Sequence, residues 1–200
     1  YLVLDALNAS IKKHHLDAVS VRCFDLVSDL ESTGCVALAH LNENRIVAGC
    51  EGDINSTIAM QWIKLLLGKL SWMANPAQIN RKKNTLWLAH CTIARSLVGA
   101  YNLMTHFESD LGIGIQGELA SGPCTLVRIG GTDLKEIRLA EGEIIQSGYE
   151  DNLCRTQAEI KLKEVDDFSD IIDKPLGNHL VLVLGHHQEI LYKYWEEFIK

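Results

Sequence analysis

No basic run longer than Arg81-Lys82-Lys83 occurs in this chain, whose formal charge is −7 with a pI near 5.6. That balance excludes the electrostatic footprint of a nucleic-acid binder or of a protein drawn to anionic membranes, and it favours small neutral or cationic ligands. No apolar stretch is long enough to span a bilayer, and no segment reads as a secretory signal. No C-x-x-C spacing links the six cysteines, Cys23, Cys35, Cys50, Cys91, Cys124 and Cys154. Several of them lie inside apolar runs, which suits buried thiols in a reducing cytoplasm better than a disulfide framework or a zinc knuckle. Internal repeats and low-complexity tracts are lacking as well. The sequence opens at Tyr1 rather than at a methionine, and so reads as a piece of a longer, cytoplasmic protein.

What is present is a globular composition: 200 residues, 47% hydrophobic and 22% charged, enough for one large domain or two small ones. The first third alternates in an α/β manner. A helix reaches Ile11 to His15, strands follow at Ala18 to Cys23, Cys35 to Leu41 and Arg45 to Cys50, and a helix then carries Ile54, Ile58, Trp62 and Leu66 at i, i+4 spacing up to Gly68. Beyond Lys69 short β-like runs recur at Leu86 to His90, Leu111 to Leu119, Cys124 to Ile129, Glu136 to Leu139, Glu143 to Gln146, Ala158 to Leu162 and His179 to Leu184. Gly-rich and acidic turns, Glu141-Gly142 among them, separate these runs, and Pro76 and Pro175 mark loops. The end, His186 to Ile199, reads as a helix with Ile190, Leu191, Tyr194, Trp195 and Phe198 on one face. The expected fold is α/β plus β: residues 1–68 as the end of a Rossmann-like α/β domain, and residues 69–200 as an antiparallel β-barrel-like domain closed by a terminal helix.

The segment Cys50-Glu51-Gly52-Asp53 places two carboxylates where a strand passes into a helix, the place where α/β proteins tend to put chemistry. Glu51 on the turn could ligate a hard cation or move a proton; the plainer alternative is an acidic pair that caps the helix. His90 ends the apolar run from Leu86 and is either a metal ligand or a hydrogen-bonded core histidine. Its neighbour Cys91 points to the opposite strand face, which argues against a Cys-His catalytic pair. His179 opens the run Leu180 to Leu184. His106 reads as loop packing rather than ligand contact, and His186-His187 as surface residues. Gly112-Ile113-Gly114-Ile115-Gln116-Gly117 matches G-x-G-x-x-G, but no helix follows to receive a pyrophosphate, so the glycines read as bends or close backbone approaches in a strand. Mixed oxygen and nitrogen ligation by Glu51, His90 and His179 would suit Mn²⁺ or a similar divalent ion.

Taken in order, Val19-Ser20-Val21-Arg22-Cys23-Phe24, Gly34-Cys35, Cys50-Glu51-Gly52-Asp53, Asn84-Thr85-Leu86-Trp87-Leu88-Ala89-His90-Cys91 and Gly177-Asn178-His179 resemble the C-terminal portion of the L-fucose isomerase and L-arabinose isomerase superfamily. The resemblance implies an aldose–ketose isomerase that uses Mn²⁺ and an enediolate on a monosaccharide, assembled as a trimer or hexamer. It implies that Glu51 ligates metal and takes part in proton transfer and that His179 and His90 are ligands; Asp53 is a candidate catalytic carboxylate in support. The second acidic ligand expected after Glu51 falls on Asn75, which can offer a carbonyl oxygen but neither charge nor basicity. A module that keeps the fold and binds sugar without turnover is the alternative that Asn75 raises, and a metal-dependent lyase or hydrolase is a third.

Overall fold

Two apolar patterns, one helical and one alternating, divide the chain in the computed structural model, which describes residues 2–164 and 167–199. The first part runs α1 (Leu2–His14), β1 (Ala18–Ser20), α2 (Cys23–Leu30), α3 (Cys35–Glu43), β2 (Val47–Gly49) and α4 (Ile54–Leu67). Strands β1 and β2 pair in parallel, with Ser20 opposite Gly49. The second part runs β3 (Ser71–Asn80), β4 (Thr85–His90), β5 (Ala100–Met104), β6 (Gly114–Glu118), β7 (Gly122–Gly130), β8 (Glu136–Ser147), β9 (Thr156–Leu162), β10 (Leu180–Leu184) and α5 (Gln188–Phe198). Six of these strands close an antiparallel barrel in the order β10-β3-β4-β9-β8-β7, and β5 and β6 form a separate hairpin. Among the described residues no helix is long and apolar enough to cross a membrane.

Alternation explains the barrel. Trp72, Ala74, Leu86, Leu88, Leu126, Leu180 and Leu182 point inward to one core. Met73, Val127, Ile129, Val181 and Val183 point outward to a second core shared with Leu38, Leu41, Met60, Ile63, Leu191 and Trp195. Strands β3, β7 and β10 are therefore covered on both faces, which is why Leu180 to Leu184 is apolar without interruption.

Several expectations are corrected. Cys35 to Leu41, expected as a strand, is α3: its exposed residues are Val36 and His40, four apart, while the rest of the run is buried. A run apolar on nearly every side carries no visible period, and its Ala and Leu residues favour the helix. The first strand ends at Ser20, and Cys23 opens α2. Pro76 lies within β3, at the irregularity between Pro76 and Gln78, where the missing amide is tolerated. Glu136 to Leu139 and Glu143 to Gln146 are one strand. Gly142 does not break it but lets β9 approach: a Cβ there would stand 2.6 Å from the Lys161 carbonyl oxygen. The strand expected over Leu111 to Leu119 shrinks to β6 and pairs with the fully exposed β5, which was not anticipated. Gly114 and Gly117 lie on β6, and a Cβ on Gly117 would stand 2.8 Å from Val98. On α4 the buried face is Ser56, Thr57, Ala59, Met60 and Ile63, whereas Ile54 is 59% exposed. All six cysteines are free and five are buried.

Candidate functional site

Between β2 and α4 the chain turns through Glu51 and Gly52, both left-handed at φ 57° and 67°. For a glutamate this conformation is uncommon and costs about 1 kcal/mol or more, strain of the kind that clusters at functional sites. Asp53 then caps α4, its Oδ1 accepting the Ser56 amide at 2.8 Å. Gly49 permits the close approach of strand and helix, since a Cβ there would fall 2.0 Å from Thr57 Oγ1. The turn is thus fixed on both sides and presents the Glu51 carboxylate outward.

Two barrel strands bring the imidazoles to it. His90 ends β4, with Nε2 3.5 Å from Glu51 Oε1; His179 precedes β10, with Nε2 3.4 Å from Glu51 Oε2. One donor atom from each of Glu51, His90 and His179 lies within 4.8 Å of the others. His90 is 3% and His179 1% exposed, yet both ring nitrogens of His90 and Nε2 of His179 have no hydrogen-bond partner. Buried nitrogens left so would each forfeit about 1–3 kcal/mol. One carboxylate oxygen and two imidazole nitrogens form a donor set that accepts a divalent cation.

Behind His179 stands a bracing network. Its Nδ1 is 2.9 Å from Asp53 Oδ2, and Arg128 Nη1 donates to the same oxygen at 2.9 Å and to the His179 carbonyl at 2.9 Å. Arg128 Nη2 donates to the Leu176 carbonyl at 3.0 Å. Gly177, at φ 152°, leaves room for that guanidinium, since a Cβ there would fall 1.5 Å from Arg128 Nη2. The imidazoles of His179 and His90 beside it outweigh burial and hold the Glu51 carboxyl well below the usual carboxylate range. Burial opposes ionisation of Asp53, but bonds with His179, Ser56 and Arg128 prevail and keep it charged. Burial would lower His179, but Asp53 and Glu51 raise it to about 9. The pocket is built to hold positive charge.

Glu51 and His90 also line a cavity with His106, Glu108, Phe24 and the thiols of Cys23, Cys35, Cys50, Cys91 and Cys154. His106, expected as loop packing, sits edge-on to Phe24 with centroids 6.2 Å apart, and its Nε2 lies 3.2 Å from Glu108. Burial raises the Glu108 carboxyl. The Cys91 thiol is lowered to about 5, chiefly by a hydrogen bond with Cys154. Asn75 is half-buried on β3 opposite Ala89, and its neighbour Ala74 pairs with Leu180, so strand order carries it to the same end of the barrel as His90 and His179. Asp53 stands one layer back, its carboxylate engaged by Ser56, Arg128 and His179.

Arg128 and Glu108 escaped the sequence reading. For Arg128 a signal existed, a lone cation inside the apolar run Cys124 to Ile129, because a buried arginine demands a partner. Glu108 sits in a polar loop and carried none.

No family model matches the chain. Among curated proteins it is similar to a sulfoquinovose isomerase of Alkalicoccus urumqiensis, 30% identical over 134 residues that make up 64% of this chain and 30% of that protein. It is also similar to the sulfoquinovose isomerases of Priestia aryabhattai and Priestia megaterium, 25% identical over 197 residues, 90% of this chain and 43% of each. The chain spans less than half the length of these relatives.

Proposed function

We propose that this chain carries the metal-holding part of a cytoplasmic aldose–ketose isomerase acting on a monosaccharide, with Glu51, His90 and His179 as ligands of Mn²⁺ or a similar divalent cation. The observation that carries this reading is the set of buried, unpartnered imidazole nitrogens facing a charged carboxylate on a strained turn. The sulfoquinovose isomerases it resembles support the isomerase class and make a sulfo-sugar the first substrate to test, ahead of fucose or arabinose.

When bound, the cation would supply Lewis-acid polarisation of the sugar carbonyl and the neighbouring hydroxyl. Glu51, ionised at neutral pH, takes the proton from the carbon beside the carbonyl, leaving an enediolate, and returns it to the former carbonyl carbon, while the neighbouring hydroxyl's proton passes to the former carbonyl oxygen. Asp53 and Arg128 hold the His179 ring. Asn75 contributes a neutral carbonyl oxygen where the resemblance expects an acid. On this reading residues 1–68 end a Rossmann-like domain, residues 69–200 form the barrel domain, and copies associate as a trimer or hexamer. Exposed Tyr101, Leu103 and Met104 on β5 support association.

Equilibrium dialysis of the purified protein against Mn²⁺ should give close to one ion per chain, lost in Glu51→Ala and in His179→Gln. With sulfoquinovose and the full-length protein, NMR should show a ketose whose formation Glu51→Ala abolishes. Undiminished turnover in that variant would overturn the assignment. Sugar binding without turnover in the unmodified protein, together with a gain of metal affinity in Asn75→Asp, would establish the non-catalytic module instead.

A further inference from the structure

The thiols of Cys23 and Cys50 face each other at 2.7 Å, and both are buried, at 5% and 4% exposure. The sulfurs thus stand about 0.7 Å beyond the length of a disulfide bond, about 2.05 Å. The two backbones are already pinned together: the Val21 amide donates to the Gly49 carbonyl at 3.1 Å, and the Gly52 amide to the Val21 carbonyl at 3.0 Å. Both residues line the small cavity that also reaches Glu51 and His90. Cys50 is joined directly to Glu51, and its own amide is held by Met73 Sδ at 3.2 Å.

We propose that Cys23 and Cys50 are a reversible redox pair through which a hydroperoxide alters the turn that carries Glu51. One thiol gives up its proton and its sulfur attacks a peroxide oxygen; the O–O bond breaks, the departing hydroxide takes that proton, and a sulfenic acid and a water form when the oxidant is hydrogen peroxide. The second thiol sulfur then displaces the sulfenic hydroxyl, which leaves with a proton as a second water, and the S–S bond closes. Two thiols are oxidised and one peroxide is reduced to two waters; exchange with a small dithiol restores the thiols. In the oxidised form the Cys50–Glu51 backbone is tied to the start of α2. Ligand geometry at Glu51 then shifts, with the consequence seen when groups supporting a metal ligand are disturbed, a loss of about 10–100-fold in metal affinity.

The loss of metal affinity rests on the reading of Glu51, His90 and His179 as ligands, whereas the linkage and the exchange behaviour of the turn do not. The purified protein is treated with hydrogen peroxide, alkylated and peptide-mapped. Amide exchange at Gly52 and Asp53 and Mn²⁺ affinity are measured before and after, and again after dithiothreitol. The expected result is a Cys23–Cys50 linkage, slower exchange at both amides and at least a tenfold fall in affinity, all reversed by reduction. Cys23→Ser, with Cys23→Ala as a second variant, should bind Mn²⁺ like the parent and not respond to peroxide. No linkage, or one mapped to Cys91 and Cys154 alone, overturns the pair; linkage with unchanged exchange overturns its coupling to the turn. A reduced protein that binds no Mn²⁺ but still forms the linkage and slows exchange removes the ligand reading and leaves the pair standing.

Discussion

Asp53 caps α4 through the Ser56 amide, pairs with the buried Arg128 and fixes the tilt of His179, so one carboxylate ties helix, barrel and imidazole together. An asparagine in its place would still cap the helix, which allows the charge to be tested apart from the fold. Asp53→Asn should weaken Mn²⁺ binding by about 10–100-fold and, because Arg128 is left unpaired, lower stability by about 3–5 kcal/mol in chemical denaturation. His179 gives the pH dependence. Its folded value near 9 lies above the ordinary 6.5, so in the metal-free protein its charged contacts stabilise fully below about pH 6.5 and are lost as pH rises through about 9. The stability difference between the protein and His179→Gln, both without metal, should therefore shrink by on the order of 3 kcal/mol across that interval. A difference constant over this range would show that His179 does not hold the proton.

Among the elements, β2 is held by its pairing with β1 and by one side chain. Asn42, at the end of α3, donates to the Leu38 carbonyl at 3.0 Å and the Ala48 carbonyl at 2.8 Å, and accepts the Ala48 amide at 3.0 Å. Asn42→Ala leaves buried backbone groups unpaired and should cost about 1–3 kcal/mol, with faster amide exchange along Val47 to Gly49 before any change in the barrel. Element by element, legibility followed periodicity. The run of β9, the short apolar runs of β4 and β7, the capped helix α4 and the junction at Glu51 could be read, the first from its alternation and the others from their length and bounding residues. Helix α3 could not, since burial on most sides erases the period, and β5 could not, since all five of its residues are exposed and its Tyr101, Leu103 and Met104 answer to no buried face. Individually Glu51, His90 and His179 could be singled out by their positions at element ends. Their convergence is a property of barrel closure, in which β4 and β10 both flank β3, and no local pattern encodes it. The Asp53–Arg128–His179 brace joins residues up to 126 positions apart and was hidden for the same reason.

For the molecule as a whole, the outward faces of β3, β7 and β10 meet α3, α4 and α5 in one continuous apolar layer, with Met73, Val127 and Val183 against Leu38, Met60 and Trp195. The turn after α4, at Gly68, is the place where sequence texture changes, yet the shared layer predicts that a cut there leaves no two self-sufficient pieces. Expressed alone, residues 69–200 should precipitate or bind a hydrophobic dye, and co-expression with residues 1–68 should restore a soluble complex on size-exclusion chromatography. Soluble, dye-silent barrel alone would contradict this. The double-sided wall also ties the histories of the two parts: a substitution that reshapes the outer side of β10 must be answered in α4 or α5, while the inner side can drift on its own. Variants recovered from random mutagenesis should therefore show compensating changes across that seam, and loops at the far rim of the barrel should accept insertions that the seam refuses.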